Sequence, residues 1–584
     1  MFKPNTLFYS DGYKASHFRM LAKGTTRLAG TWIPRTTKYA PKEITKIVSF
    51  GQQLVWKWLH DEFEDNFFNA NVDAAYSFGR DMSEYLGMPY DAQHFEDLRK
   101  LGYLPIRVKS LPEGIETVPN ITHMTFINTV DGYAWLTLYL ETIVSSLAWK
   151  SSTSATLALR YKRNVVEWVT KTDPANSFLI PFLCHDFSAR GLDPFSMLAS
   201  GLGHATSFRG SDTLIVIPGA RYFYGEKDVC INSVNASEHS VSCTKIFAVG
   251  EKQMIIDWLK GFPSGILSIV ADTFDLWKLI TEYLTDPEVK ELILARDGKL
   301  VIRPDSGDPV DIICGTSTKG WTDISKYFPE GEVKPEYFNE LLQEDSQVDV
   351  ANGEPGPEEF TGKYIVRGRY YEATIHNLSY NRYDKQYYYL DMWEKAKITF
   401  KEISVSPAMK GVVELLWDIF GGTVNEQGYK VLDSHIGAIY GDSINLERQV
   451  AIYSRLGAKG FASTNIVLGV GSFTYQFNTR DTFGFAAKGS WFEVCRELPE
   501  DKWHDGMKDE LVGYDIYKDP ITDDGTKKSL KGLVAVHQDS NGEYFMKTQC
   551  TAEEEKEGVL QVIYEDGKFF NATTLTDIRN RLNQ

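Results

Sequence analysis

The sequence predicts an α/β protein with parallel strands, and two observations support this class. Short apolar runs each end in a carboxylate or in glycines: ILSIVAD (266–272), KLVIRPDSG (299–307), IGAIYGD (436–442) and NIVLGVG (465–471). Helical patterns lie between the first two runs and between the last two, so the order is strand, helix, strand. Active sites of parallel α/β folds lie at the carboxyl ends of strands. We therefore expect a functional site at these ends.

The length of 584 residues predicts two or more domains, since one core rarely serves so long a chain. Residues 132–170 predict helices, because apolar residues recur every three or four positions. About 135 residues separate Asp305 from Gly441, far more than one crossover needs. We interpret about 310–430 as an inserted subdomain, with an acidic Gly/Pro loop at 343–360 and a Tyr-rich strand pair at 363–375 and 384–393. Short strands and a final helix end the chain.

Charge and composition exclude several classes of function. The net charge of -17 argues against a nucleic-acid partner, which requires a basic face. The N-terminus lacks the apolar segment of a signal peptide, and no run of about 18 apolar residues predicts a membrane span. The six cysteines are scattered without a CxxC pair, as in reduced proteins. We expect a cytoplasmic protein without a membrane partner.

Polar residues at the strand ends suggest recognition of phosphate and hydroxyl groups. Asp272, Asp305 and Asp442 each follow an apolar run. A helix N-cap would explain any one of them, but three at equivalent ends are more informative. RPDSGDP (303–309) offers a guanidinium for phosphate beside a carboxylate for sugar hydroxyls. LGVGS (468–472) is a Gly-rich turn that could hold a phosphate through backbone N–H groups, a weak signal by itself.

Two further stretches carry candidate chemistry. CHDFSARGL (184–192) places a flat ring, Phe187, three residues before a guanidinium, Arg190. It is either a helix start with a capping aspartate and a buried Phe, or a floor and clamp for a planar, negatively charged ligand. ASEHS (236–240) places His239 beside a glutamate, where it could serve as base or nucleophile. A hydrogen-bonded structural histidine is the alternative.

Taken in order, these runs resemble the nicotinamide phosphoribosyltransferase family. The resemblance covers nearly the whole chain except roughly 310–430. The matching stretches are SDGYKASHF (10–18), HDFSARG, FRGSDT (208–213), NASEHS, VADTFD (270–275), IRPDSGDP, GDSI, LGVGSFTYQFNTRD (468–481), and KDP with TKKSLKG (518–532).

The resemblance implies the fold of the type II phosphoribosyltransferases. An irregular β/α barrel would occupy 151–489, with the insertion at about 310–430. A mixed α+β sheet domain would be built from both termini, 1–150 with 490–584. The implied reaction of this glycosyltransferase joins nicotinamide to C1 of phosphoribosyl pyrophosphate and releases pyrophosphate. This is a step of pyridine nucleotide biosynthesis by NAD salvage.

The resemblance also implies roles for individual residues. Phe187 and Tyr13, the latter from the neighbouring subunit of a homodimer, would enclose the pyridine ring. Arg190 would clamp the pyridine amide and a nearby phosphate, and Asp212 would accept the amide N–H. Asp305 and Asp442 would bind ribose hydroxyls. The implied phosphate and pyrophosphate positions are Arg303, Gly471, Ser472, Arg35, Arg480, Lys488 and Lys527. Gly441 is a further substrate-binding position.

In the family, ATP hydrolysis through a phosphohistidine drives the synthesis. His239 matches that histidine and Asp272 matches the carboxylate that orients it, with Ser233 and Ser268 at small polar positions nearby. Magnesium would be held mainly by substrate phosphates and water, without a dedicated protein metal site.

Two departures and two rival functions accompany the resemblance. Ala189 replaces a family aromatic, and the turn reads GVGSF instead of a triple glycine. One rival is a nicotinate phosphoribosyltransferase, which Asp212 opposes because two carboxylates repel each other. The other is a catalytically inactive nucleotide-binding protein of the same fold, which the retained Arg303, Asp305, His239 and Asp442 oppose.

Overall fold

The structure is a computed structural model. It describes residues 4–70, 73–317, 319–327, 333–334, 338, 341–342, 359–376, 378–381, 386–389, 397–441, 443–497, 509–518 and 530–583. Within these ranges, no helix combines the length and the apolar character that crossing a bilayer would require. The six cysteines are free thiols.

The chain forms two compact units. The first comprises 1–233, 441–450 and 467–584, and the second comprises 234–440 and 451–466. The helix Leu446–Ala458 and the strand β20 (Ile466–Val470) each cross a boundary along the sequence. The domain boundaries expected from the sequence stay a prediction.

The first unit contains an antiparallel sheet built from both ends of the chain. Its strands, in spatial order, are β22 (Asp509–Asp515), β21 (Ala486–Glu497), β1 (Thr25–Ile33), β5 (Met124–Asn128), β3 (Ile106–Ser110), β25 (Gln561–Glu565) and β26 (Lys568–Phe569). Two further antiparallel pairs are β2 (Ile47–Ser49) with β4 (Ile115–Thr117), and β23 (Leu533–Gln538) with β24 (Tyr544–Cys550).

The helices of the first unit range from four to 39 residues in length. They are Gln52–Phe63, Ala74–Leu86, Gln93–Leu101, Ala134–Thr172, Pro194–Ala205, Val216–Tyr224, Ser472–Tyr475 and Leu575–Leu582. The helices expected at 132–170 are one continuous helix, Ala134–Thr172. The joining segment 149–155 contains neither Gly nor Pro, so nothing breaks the backbone ladder. Its serines are buried, and the Ser154 and Ser200 hydroxyls lie 3.1 Å apart.

The apolar runs that the sequence analysis identified lie in parallel strands. In the first unit β20 pairs with β6 (Cys184–Asp186), which pairs with β7 (Gly210–Ser211). In the second unit the parallel strands are β8 (Asn235–Ala236), β9 (Ser264–Val270), β10 (Asp297–Arg303) and β19 (Ile436–Tyr440). All four apolar runs named above form strands. The α/β class with a terminal sheet is therefore confirmed.

The second unit adds helices between its strands. They are His239–Val249, Glu251–Gly261, Leu276–Lys278, Pro287–Leu294, Pro309–Cys314 and Pro407–Phe420. A π-helical turn, Leu279–Tyr283, follows Leu276–Lys278. A short antiparallel pair joins β17 (Gly422–Val424) to β18 (Lys430–Leu432).

A separate sheet lies within the stretch interpreted as an insertion. Its strands are β11 (Thr322–Asp323), β12 (Glu359–Val366), β13 (Arg369–His376) and β16 (Lys397–Ile403), and β14 (Leu378–Asn381) pairs with β15 (Gln386–Tyr389). The Tyr-rich segment 363–375, expected as one strand, is a hairpin. Arg367 and Gly368 both adopt positive φ, 52° and 77°, as a tight two-residue hairpin turn requires. Of the acidic loop at 343–360, residues 343–358 lie outside the described residues.

Candidate active site

Phe187 stands at the end of strand β6 in the first unit. Its N–H donates to the carbonyl of Val470 at 2.8 Å, which extends the pairing with β20. A Cβ on Gly469 would lie 2.6 Å from the Phe187 ring, so the glycine leaves room for that ring. The imidazole of His185 lies on one side, with ring centroids 4.8 Å apart. The ring is half-buried and held at the strand end, as a stacking platform requires.

Asp212 stands at the end of the neighbouring strand, β7. Its N–H donates to the Asp186 carbonyl at 3.0 Å. Its Oδ1 accepts from Nε2 of His185 at 2.9 Å and from the hydroxyl of Ser233. The Asp212 side chain remains 44% exposed. A partly exposed carboxylate therefore lies on the strand beside the one that carries Phe187.

Asp186, the other carboxylate here, has a structural role. It is fully buried and accepts from the Thr213 hydroxyl at 2.7 Å and from the Ser188 N–H at 2.9 Å. These bonds hold the turn after β6 against the segment after β7. Asp186 is therefore not the N-cap of the 3-10 turn Ala189–Gly191, whose N-cap residue is Ser188 without a side-chain cap bond, and Phe187 is half-buried.

Arg190 lies in the 3-10 turn Ala189–Gly191 and is exposed. The side chain of Gln476 donates to the Ser188 carbonyl at 3.0 Å. A Cβ on Gly191 would lie 2.3 Å from that Gln476 side chain. The Gln476 side chain therefore stabilises the turn, while the Arg190 guanidinium remains accessible to a ligand.

The Gly-rich turn leads into the short helix Ser472–Tyr475. Gly471 precedes this helix with φ -144° and ψ -124°, and both Gly471 and Ser472 are half-buried. The ammonium of Lys150, which is 3% exposed, donates to the carbonyl of Tyr475. Burial lowers the pKa of Lys150 to about 8. This buried lysine anchors the end of the helix.

Three predicted phosphate ligands are exposed cations near the end of strand β1. The N–H of Arg35 donates to the Phe483 carbonyl at 3.0 Å, three residues from Arg480. Lys488 forms a 2.6 Å ion pair with Glu141. The fold thus brings Arg35 near the segment that carries Arg480, although 445 positions separate them in sequence.

The remaining predicted residues of the first unit are placed as follows. Tyr13 is 65% exposed in the 3-10 helix Gly12–Arg19, with its ring 5.3 Å from that of His17. Gly441 follows β19 and is half-buried. Asp442 and Lys527 lie outside the described residues.

In the second unit, His239 begins the helix His239–Val249 and faces Asp272 after strand β9. Nε2 of His239 lies 3.1 Å from Oδ1 of Asp272. The other oxygen of Asp272 accepts from the Asp305 N–H at 2.8 Å and from the Ser306 hydroxyl at 2.5 Å. The imidazole is 44% exposed and the Asp272 side chain 6% exposed. A buried carboxylate therefore orients an accessible histidine.

The carboxyl of Asp272 is held ionised. Burial by itself would raise its pKa, but hydrogen bonds from Ser306, the Asp305 N–H and His239 outweigh burial, so the pKa is lowered. An ionised Asp272 can only accept a hydrogen bond, so Nε2 of the His239 imidazole carries the proton and donates it. Its second oxygen, bonded to the backbone of Asp305, ties the ends of β9 and β10 together.

Arg303 ends strand β10 beside the segment that leads to His239. Its Nη2 donates to the Ser237 carbonyl at 3.0 Å, and the N–H of Ser237 donates to the carbonyl of buried Ser268 at 3.0 Å. Nε of Arg303 is buried without a hydrogen-bond partner among the described residues. The structure brings together His239, Asp272, Asp305, Arg303 and Ser268.

Three residues had no predicted role although they contact the site. His185 and Ser237 lie inside motifs quoted above, and so does Ser306. Their residue types carry hydrogen-bonding chemistry, yet nothing in the sequence shows which atoms they contact. In the part of the chain that the structure describes, no group of three or more His, Cys, Asp or Glu side chains could hold a metal ion.

Known proteins align with this chain over nearly its whole length. Nicotinamide phosphoribosyltransferase of Acinetobacter baylyi is 35% identical over 601 aligned residues, covering 100% of this chain and 98% of its own length. Nicotinamide phosphoribosyltransferase of Xanthomonas campestris pv. campestris is 27% identical, covering 98% and 97%. The crystal structure of human Nicotinic Acid Phosphoribosyltransferase aligns with 98% of this chain and 93% of its own, at 13% identity and a TM-score of 0.47.

The model of the Nicotinate phosphoribosyltransferase (NAPRTase) family matches residues 182–346 and 401–557, together more than half of the chain. These segments include Phe187, Asp212, His239 and Asp305. With a full-length relative at 35% identity, the chain belongs to the nicotinate phosphoribosyltransferase family and is a pentosyltransferase.

Proposed function

We propose that the chain is a nicotinamide phosphoribosyltransferase that converts nicotinamide and phosphoribosyl pyrophosphate to nicotinamide mononucleotide and pyrophosphate in NAD salvage. The observation that carries this proposal is the partly exposed Asp212 carboxylate on the strand beside the one that ends at Phe187. The names of the full-length relatives support the same substrate.

Recognition of nicotinamide would use these two strand ends. Phe187 offers a ring face for stacking on the pyridine, which would align the pyridine nitrogen with C1 of the sugar. Asp212 would accept a hydrogen bond from the amide NH2, a donor that nicotinate lacks. The exposed guanidinium of Arg190 would complement the nearby phosphate.

The transfer forms one bond and breaks one. The lone pair of the pyridine nitrogen forms the bond to C1, while the bond from C1 to the pyrophosphate oxygen breaks and its electron pair leaves with pyrophosphate. Positive charge develops on the sugar ring and ends on the pyridinium. Asp305 and Asp442 would bind the ribose hydroxyls, and cationic side chains would stabilise the leaving charge. Those cations are Arg35, Arg303, Arg480, Lys488 and Lys527.

Magnesium would bind at this site together with the pyrophosphate group. The chain supplies arginines and lysines for the phosphate oxygens, and a carboxylate cage is not needed when phosphates and water provide the metal's ligands. When bound, the ion would neutralise the leaving pyrophosphate.

ATP coupling would use His239. Because Nε2 is bonded to Asp272, the neutral imidazole carries its proton on Nε2 and its lone pair on Nδ1. Nδ1 would attack the γ-phosphorus of ATP, forming an N–P bond as the bond to the ADP oxygen breaks. Water would later hydrolyse the phosphohistidine. Asp272 stabilises the positive imidazole during this step.

Nicotinate is the second candidate substrate, and the description of the matching family favours it. A nicotinate carboxylate facing Asp212 would be repelled by a like charge in a partly desolvated site. We therefore rank nicotinamide first.

The test is product formation from phosphoribosyl pyrophosphate with nicotinamide or with nicotinate, each with and without ATP. We expect nicotinamide to be the better substrate and ATP to increase its turnover. Phe187→Ala should lower turnover of both pyridines. The matched control is Phe178→Ala, an exposed ring of the same unit, which should not. A preference for nicotinate would overturn the proposal.

A further inference from the structure

We infer that His185 is a positioning residue for pyridine selection: it fixes the Asp212 carboxylate in the orientation that reads an amide. This inference rests on the proposed function of Asp212. It adds a residue that does not itself meet the substrate but sets the preference for amide over acid.

The backbone brings the two side chains together. His185 in β6 lies directly opposite Gly210 in β7, and the Asp212 N–H bonds to the Asp186 carbonyl at 3.0 Å. A Cβ on Gly210 would lie 3.0 Å from Nδ1 of His185, so the glycine permits the imidazole to lie over its neighbour strand. Nε2 then reaches Oδ1 of Asp212 at 2.9 Å.

The direction of this hydrogen bond follows from the chemistry of the two groups. An ionised carboxylate only accepts, so Nε2 of His185 must carry the proton that it shares with Asp212. The hydroxyl of Ser233 donates to the same oxygen. Two donors on one oxygen oppose rotation of the carboxylate about its Cβ–Cγ bond.

Burial separates the roles of the two residues. The His185 side chain is 11% exposed and that of Asp212 is 44% exposed. The imidazole therefore lies on the protein side of the carboxylate, while Asp212 presents surface to a ligand. A group held in this manner needs less reorganisation when an amide N–H arrives, which is how supporting hydrogen bonds raise specificity.

Without His185, the carboxylate would keep its charge but lose one of its supports. Its oxygens could rotate away from the amide, so recognition of nicotinamide would weaken. Repulsion of nicotinate would weaken too, because the carboxylate could turn aside. The amide-to-acid ratio of kcat/KM should therefore fall.

The experiment compares His185→Phe with His185→Gln. Phe keeps the flat ring without a donor, whereas Gln can place an amide N–H near the position of Nε2. We expect His185→Phe to lower the amide-to-acid ratio about ten-fold, with a higher KM for nicotinamide and an unchanged KM for phosphoribosyl pyrophosphate. His185→Gln should restore most of the ratio. His60→Phe, the same exchange at a histidine packed against Phe569, is the matched control and should leave the ratio unchanged.

A double-mutant cycle separates positioning from a general structural effect. If His185 acts through Asp212, adding His185→Phe to Asp212→Asn should not change the ratio further. An additive effect in the double variant, or an unchanged ratio in a folded His185→Phe enzyme, would overturn the inference. A wild-type enzyme that prefers nicotinate would instead refute the proposed function, so the two failures are distinguishable. Thermal melts identify a variant that has not folded, and His185→Ala, which also lacks the donor, then carries the comparison.

Discussion

At the scale of single residues, the site depends on carboxylates whose surroundings give them different tasks. Asp186 is buried, and its carboxylate accepts hydrogen bonds from the Thr213 hydroxyl and the Ser188 N–H. It therefore stabilises the backbone after β6 and β7. Asp212, one strand away, keeps a partly exposed carboxylate and can read a ligand. Asp272 is buried and ionised beside an accessible imidazole. Residue type alone does not distinguish these three tasks.

Asp212→Asn should reverse part of the pyridine preference. The charge-assisted bond from the amide to an ionised Asp212 is worth roughly 1.5–3 kcal/mol, or about a ten- to hundred-fold preference. Asn keeps the shape, removes the repulsion and can offer its own NH2 to a carboxylate. The measurement is kcat/KM for nicotinamide and for nicotinate in both proteins. An unchanged ratio would show that Asp212 does not read the amide.

His239→Ala should keep a basal transfer rate and lose stimulation by ATP, because His239 would carry the phosphoryl group but not the pyridine. The measurement is turnover with and without ATP. His435→Ala is the control, since His435 also pairs with an aspartate, Asp433, at 2.7 Å in the same unit. Full ATP stimulation in the His239 variant would contradict the phosphohistidine role.

At the scale of elements, the strand ends carry the candidate site residues, and segments distant in sequence supply the hydrogen bonds that hold those residues in place. The helix Gln52–Phe63 shows the same principle away from the site. Its N-cap, Gly51, has φ 97° and no side chain to offer. Glu113 instead accepts from the Gln53 N–H at 2.7 Å. A carboxylate 60 residues away thus supplies the cap.

Glu113 should make stability depend on pH. Burial raises its pKa from 4.5 to about 7, outweighing the hydrogen bond from the Gln53 backbone. Between these values the folded state binds a proton that the unfolded state has lost, so stability falls as pH rises. The full effect is on the order of 3 kcal/mol.

The measurement is unfolding at pH 5 and at pH 8 for wild type and Glu113→Gln, which keeps an acceptor but does not titrate. The stability of wild type relative to Glu113→Gln should decrease from pH 5 to pH 8. Glu553→Gln, at a side chain 83% exposed, should show no such change. An equal pH response of wild type and Glu113→Gln would refute the raised pKa.

At the scale of the whole molecule, the candidate site residues are distributed over the two compact units of the chain. Phe187, Arg190 and Asp212 belong to the first unit, whereas His239 and Asp305 belong to the second. Tyr13, also in the first unit, is 65% exposed. An exposed aromatic ring of this kind is suited to a contact with another chain, which agrees with the homodimer that the family resemblance implies.

Mixing two inactive variants should test the shared site. In a hybrid of Tyr13→Ala and Asp305→Ala chains, one site would combine Asp305 from one chain with Tyr13 from the other, so activity should partly return. The control is Phe187→Ala mixed with Asp305→Ala. One chain would supply both Phe187 and Asp305 to a given site, so each hybrid site would lack one of the two residues. Verified mixed dimers without recovery would argue against a site at the interface.

The sequence by itself determined the four parallel strands at its apolar runs, the helical character of 132–170 and the chemistry-bearing motifs. Apolar periodicity and strand-end carboxylates are local patterns, so the runs that end at Asp272 and Gly471 could be predicted as strands from neighbouring residues. The ordered motifs also carried the family resemblance, which the comparisons confirm.

Only the tertiary structure decided which side chains meet. His185 and Asp212 are 27 positions apart, and Glu113 lies 60 positions from Gln53. These contacts depend on which strands pair and in what register, and no local pattern encodes that pairing. Periodicity is a property of neighbouring residues, whereas support of a functional group is a property of distant residues brought into contact.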